Sequence, residues 1–180
     1  MADQITNFPN ENIGNGIASL TNILLQGVFV IEQLEDFQFT EGGRGSVGVH
    51  FRHCVDFVEC FVNGIGTSEI DYTLRRRETT SETDRHAALL RLRKVLSSLQ
   101  SLSPLNPDIS VLVRSENEET EVKWSKSSVM RELEFVQSHT IHHYALIGFK
   151  LKLLGFEVDE KFGVSQSTLQ FWNNEKANSA

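Results

Sequence analysis

The chain has 180 residues, 39% hydrophobic and 23% charged, with a formal net charge of -7, a balance that fits a single domain over residues 1–180 with a substantial core. The acidic charge works against sequence-independent binding of nucleic acid, which needs clustered Lys and Arg against phosphates, and the basic run Arg75-Arg76-Arg77 is followed at once by Glu78, Glu82 and Asp84. The opening Met-Ala-Asp-Gln-Ile-Thr-Asn has no basic or apolar leader region, and there is no unbroken run of about 18 apolar residues, so a cytoplasmic protein without membrane association is expected.

Ile17, Leu20, Ile23, Leu24, Val28, Ile31 and Leu34 recur at helical spacing, with Ser19, Gln26 and Gln33 opposite, and predict a first amphipathic helix over 17–34. Asn10 to Gly16 ahead of it reads as a loop or cap. Gly43, Gly45 and Gly48 match the letters of a dinucleotide fingerprint, but that motif must join a strand to a helix within a βαβ unit. Phe37 to Thr40 is too short for a buried strand and no second strand follows, so the stretch reads as a turn with Ser46 as the N-cap of a second helix. This helix, Val47 to Val62, turns Val47, Cys54, Val55, Phe57, Val58 and Phe61 inward and Arg52, Asp56 and Glu59 outward, with His50 and His53 on or beside the apolar arc. Cys60 falls nearly in line with His53, two turns on, and is a candidate soft ligand. Six residues place Cys54 and Cys60 roughly 9 Å apart along one helix and on different faces, so they read as reduced thiols.

Ser81-Glu82-Thr83-Asp84 reads as the cap of a third helix running to about Leu102, which Pro104 and Pro107 stop. Ile109 to Val113 and Thr120 to Trp124 then predict a hairpin about Glu116-Asn117-Glu118. A last long helix starts near Ser127 or Ser128 and ends at Gly155. Beyond Val158, Phe162, Leu169, Phe171 and Trp172 carry too much aromatic surface to leave in water, so the tail should fold back on the helices or on a second subunit.

Three of the six histidines fall between His139 and His143 in that last helix. His139 and His143 are one turn apart on a line within its apolar arc and should face the core together, while His142 falls outside the line. A lone buried histidine is usually a satisfied core residue. Two adjacent imidazoles compete for few donors, and a divalent ion reached by both from one rigid helix would resolve that. A third ligand must come from elsewhere, and His50 or His53 of the second helix could supply it. Three histidine ligands leave coordination positions open, the pattern of a catalytic metal.

Val49-His50-Phe51-Arg52-His53-Cys54-Val55-Asp56, followed far along the chain by His139-x-x-x-His143 on a long helix, resembles the DinB/YfiT-like superfamily of metal-binding four-helix proteins. Gly45 to Gly48, Asp71 to Thr79 and Phe162 to Leu169 resemble one branch of it, so the resemblance covers most of the chain. It implies an all-α four-helix bundle with a small β-hairpin inserted between helices 3 and 4, and a homodimer. It also implies one divalent metal ion (Zn, Ni, Fe or Mn) on His53, His139 and His143, with His50 and His142 outside the ligand set, either as partners of the ligands or as simply packed residues. Relatives of this kind include thiol-dependent S-transferases that use low-molecular-weight thiols, metal-dependent hydrolases and isomerases, so the expected partner is a small-molecule substrate or thiol.

Arg75, Arg76 and Arg77 are the candidate cofactor-binding residues, because guanidinium groups near a metal cleft could clamp the carboxylates of a thiol cofactor or an acidic substrate. The favoured reading of the run is nonetheless structural, with pairing to Asp71, Glu78, Glu82 or Asp84. No general base stands out, since Glu132 and Lys150 lie about two turns from the histidine line. No GxSxG elbow supports a serine hydrolase. A non-catalytic binding or stress-related dimeric protein, its metal structural or absent, is the alternative.

Overall fold

The computed structural model describes residues 11–102, 106, 108–116 and 123–178. Among these, four helices are long and pack on one another: α1 (Glu11–Gln33), α3 (Val47–Ile65), α5 (Arg85–Gln100) and α6 (Val129–Leu153). The shorter α2 (Asp36–Thr40) and α4 (Thr80–Thr83) sit in the connections, and α7 (Gln166–Asn178) closes the chain. Both α1 and α3 contact α5 and α6, so the four close into a ring with α1 and α3 facing each other across it. The core inside is built from Leu20, Leu24 and Ile31 of α1, Phe51, Cys54, Val58 and Phe61 of α3, Leu92 and Leu99 of α5, and Leu133, Val136, Tyr144 and Ile147 of α6.

The first helix starts at Glu11 and absorbs the stretch expected to be a loop. Two glycines make that start unfavourable by propensity, but tertiary contact overrides it. A Cβ on Gly16 would stand 2.7 Å from Leu133 Cδ2, and Gln137 Nε2 donates to the Gly16 carbonyl at 2.6 Å, so the bare backbone lets α1 lie directly on α6. By length and mean hydropathy alone, Asn15–Gln33 is apolar enough to cross a membrane; here Leu20, Leu24 and Ile31 are buried in the core between α5 and α6, while Leu25 and Phe29 stay exposed.

The chain reverses after α2 through a 3-10 turn at Gly43–Gly45, where Gly42 and Gly43 take positive φ, and enters α3 at Ser46, whose Oγ accepts from Val49 N at 3.2 Å. The glycine-rich stretch is therefore a turn and cap, as expected. Gly48 has a different use. A Cβ there would lie 2.1 Å from the Glu82 carbonyl oxygen, so its absence seats α4 against α3. The third long helix is shorter than the sequence suggests, because Thr80–Thr83 forms its own turn and Asp84 breaks the chain. Asp84 Oδ1 then accepts from His86 N at 2.8 Å and Ala87 N at 3.2 Å to start α5.

The fold is mainly helical, as expected, but in place of a two-stranded hairpin the described residues hold a small three-stranded sheet in the order β1 (Glu69–Asp71), β2 (Ser110–Arg114), β3 (Ser125–Ser128). β1 runs parallel to β2 with Asp71 opposite Arg114, and β3 runs antiparallel with Val111 opposite Ser127. The first expected strand is present. The second was expected at Thr120 to Trp124, of which 120–122 lie outside the described residues and Lys123 and Trp124 are not in a strand. Pairing falls instead on the polar Ser-Lys-Ser-Ser, which carries no apolar alternation to reveal it, and which runs straight into the Ser128 N-cap of α6. Of the expected turn, Glu116 is described and 117–118 are not. After α6, Gly155 takes φ +75° as a C-terminal glycine should. The tail folds back on the helices: Phe162 stacks on Tyr144 at 5.0 Å, and Leu169 lines a cavity with Ile23 of α1 and Ile141 of α6, although α7 fully buries no residue and leaves Phe171 58% exposed.

Candidate metal centre

On α6, the buried stripe runs through Val129, Leu133, Val136, Thr140, Tyr144, Ile147 and Leu151. His139 and His143 each precede a member of that stripe, so with Glu132 and Phe135 they form a second stripe one position round the helix. This puts the two rings at the edge of the α3–α6 contact, half-buried and not in the core where the sequence placed them. The matching stripe on α3 is His50, His53 and Phe57. The two stripes meet residue against residue: His50 with His143, His53 with both His139 and His143, and Phe57 with His139.

His53, His139 and His143 each offer a ring nitrogen such that the three nitrogens lie within 4.8 Å of one another. Ring centroids are 4.9 Å apart for His53 and His139, 4.6 Å for His53 and His143, and 4.7 Å for His139 and His143. Among the described residues this is the group of histidine, cysteine and carboxylate side chains arranged to hold an ion. The Cys60 thiol, the candidate soft ligand, is not a member, and burial with nearby Asp56 pushes it up to about 11. His142 is exposed.

Burial is the main reason all three rings hold their protons weakly. His53 is brought down to about 4 by burial, then by His139 and Arg75; His139 to about 4 by burial, then by His142 and Arg75; and His143 to about 3 by burial and then the neighbouring histidines. At neutral pH the cluster is three uncharged imidazoles with lone pairs to satisfy. His139 Nε2 is buried without a hydrogen-bond partner among the described residues. His143 Nδ1 is engaged with His50 Nδ1 at 2.9 Å, one of the two nitrogens carrying the proton, which leaves His143 Nε2 for the cluster. An orphaned imidazole nitrogen beside two others is the donor set a divalent ion fits. His50, expected either to partner a ligand or to be simply packed, is thus the hydrogen-bond partner of a cluster member. Its own protonation is disfavoured by burial, His142 and Lys150, the last lying against the Gly42 turn.

One side of the cluster is walled by aromatics that the sequence did not single out. Phe57 lies 4.2 Å from His139 and 4.9 Å from His53 between centroids, with Tyr72 and Phe135 behind it at 5.2 and 5.9 Å. Glu132 is buried on this side, accepting from Tyr72 Oη at 2.9 Å and Ser127 Oγ at 2.6 Å. That engages it as a structural acceptor.

The arginine run divides. Arg75 turns inward, its guanidinium carbon 4.6 Å from the Phe57 ring centroid and its side chain 12% exposed, whereas Arg76 and Arg77 are 64% and 57% exposed. The run is paired as the structural reading expected, but with other acids: Arg75 and Arg77 with Glu116, and Arg76 with Glu59 at 3.8 Å. The acids named from sequence are taken elsewhere. Asp71 holds Arg114, Glu82 holds Arg52, Glu78 accepts from the first turn of α4 and Asp84 caps α5.

No protein-family model matches the chain, and no solved structure matches it. A curated protein named FK506-binding protein 5, from Rhizopus delemar, is 32% identical over 103 residues, which are 56% of this chain and 27% of that protein. The chain therefore spans about a quarter of the length of the relative it matches.

Proposed function

We propose that this is a metal-dependent enzyme on a DinB/YfiT-like four-helix scaffold, with His53, His139 and His143 as the ligands of one divalent ion. Its reaction class is a thiol-dependent S-transferase or a hydrolase acting on a small molecule, in a cytoplasmic homodimer. The observation that carries this reading is the convergence of three imidazoles whose ring nitrogens lie within 4.8 Å of one another, one with a buried nitrogen that has no hydrogen-bond partner among the described residues. A divalent ion there would supply Lewis-acid activation of water or of a thiol. The chain's own residues do the rest. His50 shares one proton with His143 between their Nδ1 atoms and so holds that ring's orientation. Phe57, Phe135 and Tyr72 keep water from one side of the cluster. The half-buried rings leave the other side open to a reactant.

Exposed Leu25, Phe29, Phe149 and Leu153 supply apolar surface for a second subunit. A non-catalytic reading is favoured by one observation: an apolar groove of about 370 Å³ is lined by α1 and residues 156–162, with none of the three histidines in its walls.

Elemental analysis of untagged protein tests the metal centre on which the enzyme reading rests. Expected is about one equivalent of divalent metal in wild type, lost in His53→Ala and in His143→Ala. Wild type that contains no metal and takes up neither zinc nor nickel on titration would remove the enzyme reading's chemical centre.

A further inference from the structure

Arginine takes a carboxylate best side-on, donating Nε–H and one Nη2–H in parallel to its two oxygens. Arg91 does this to Glu59, with Nε to Oε1 at 3.1 Å and Nη2 to Oε2 at 2.7 Å. Arg75 uses half of the same fork. Its Nη2 donates to Glu116 Oε2 at 2.7 Å, while its Nε is buried with no acceptor among the described residues. An unpaired buried donor is destabilising, so its retention calls for an explanation. The neighbouring Arg76 and Arg77, both more than half exposed, show that this loop can keep a guanidinium in water. Arg75 is instead laid on the ring of Phe57, the ring that packs against His139 and His53.

Charge points the same way. Asp56, one turn along α3 from His53, is held by Arg52 at 2.7 Å and Arg91 at 2.5 Å. Glu116 is 48% exposed and shared between Arg75 and Arg77. A cleft of three neutral imidazoles, a divalent ion and Arg75 would carry surplus positive charge.

We infer that Arg75 anchors the anionic end of the substrate, a carboxylate-bearing small molecule whose two oxygens take Nε–H and Nη2–H together and displace Glu116, with its other end toward the three histidines. The anchoring half stands on the geometry of Arg75; the direction of the reactive end rests on the metal-centre reading.

The test titrates ¹⁵N-labelled protein, zinc-loaded and metal-free, with 3-mercaptopropionate and with its uncharged amide, following the Arg75 Nε–H resonance and the dissociation constants. In zinc-loaded wild type the acid binds at least about tenfold more tightly than the amide, as charge-assisted bidentate bonds require, and the resonance moves with the acid. Arg75→Gln abolishes the preference, and Arg77→Gln keeps it. Glu116→Gln, a surface change that leaves the helices untouched, tightens the acid several-fold by removing its competitor. No preference in wild type, or an undiminished preference in Arg75→Gln, overturns the anchor. So does a Glu116→Gln variant that binds the acid no better. If zinc does not bind but the acid still moves the Nε–H resonance in metal-free protein, the anchor stands and the metal reading falls; zinc binding without acid preference gives the reverse.

Discussion

His50 and His143 meet nitrogen to nitrogen, Nδ1 to Nδ1 at 2.9 Å, across the contact between α3 and α6. That contact orients a cluster member without belonging to the cluster, and such partners govern affinity more than stoichiometry. His50→Ala should still bind about one equivalent of zinc, with the affinity lowered roughly 10- to 100-fold. Competition against a chromophoric chelator measures both quantities. An unchanged affinity would show that the ring of His143 is held by packing alone.

The depressed histidines give the metal-free protein an acid-side weakness. An unfolded histidine titrates near about 6.5, whereas His53 and His139 titrate at about 4 and His143 at about 3 in the fold. Below about pH 6.5 the unfolded chain binds protons that the native cluster refuses, so stability falls as pH drops from there toward 4 and the loss is complete below the folded values. Water screens these half-buried rings and softens the effect. Thermal melts of metal-free wild type from pH 7.5 to 4.5 should therefore show a steeper fall than those of a His139→Ala, His143→Ala double variant. Parallel curves would mean the rings are not protected from protonation.

Asp56 is 1% exposed and accepts from Arg52, from Arg91 and from the backbone N–H of Arg77 at 3.3 Å. It thereby joins α3, α5 and the loop that carries Arg75. Asp56→Ala removes the buried carboxylate that the two guanidinium groups share, although Arg52 keeps Glu82 and Arg91 keeps Glu59, and urea unfolding should show a loss of about 1–3 kcal/mol for the charge-assisted bonds removed. A loss under about 0.5 kcal/mol would mean Glu82 and Glu59 alone satisfy both arginines.

Gly48→Ala places a methyl group 2.1 Å from the Glu82 carbonyl oxygen and 2.6 Å from the Phe39 ring. Neither backbone nor a buried ring can yield cheaply, so a destabilisation of about 1–3 kcal/mol is expected in the same urea assay. Wild-type stability would show that α4 moves away without cost.

Much of the helical layout was legible because it repeats. Apolar residues at i, i+3, i+4 and i+7 mark α1, α3, α5 and α6, and Ser46 and Ser128 mark two starts with their own side chains. The histidine spacing pointed to the cluster for the same reason, since residues four apart on one helix must share a side. What escaped was non-local. β1 has three residues with one buried, too few for a period, and its partner strand lies beyond a whole helix. β3 is polar throughout. The acid that meets Arg75 could not be found without that sheet, because Glu116 is remote in sequence from the arginine run. The placement of His139 and His143 at the cleft edge also turned on a single position of rotation, which periodicity alone does not resolve.

The parallel pairing of β1 with β2 has a consequence for how the protein can change. Asp71 stands opposite Arg114, so the chain leaves both strands at the same end, carrying Arg75 from one and Glu116 from the other. The three histidines belong to the helices and owe nothing to this register. An insertion or deletion in either strand exit would slide Arg75 past Glu116 while leaving the imidazoles where they are. On the proposed reading, recognition and ligation would thus be mounted on separate parts of the scaffold, and a lineage or an engineer could retune the first by loop length without disturbing the second.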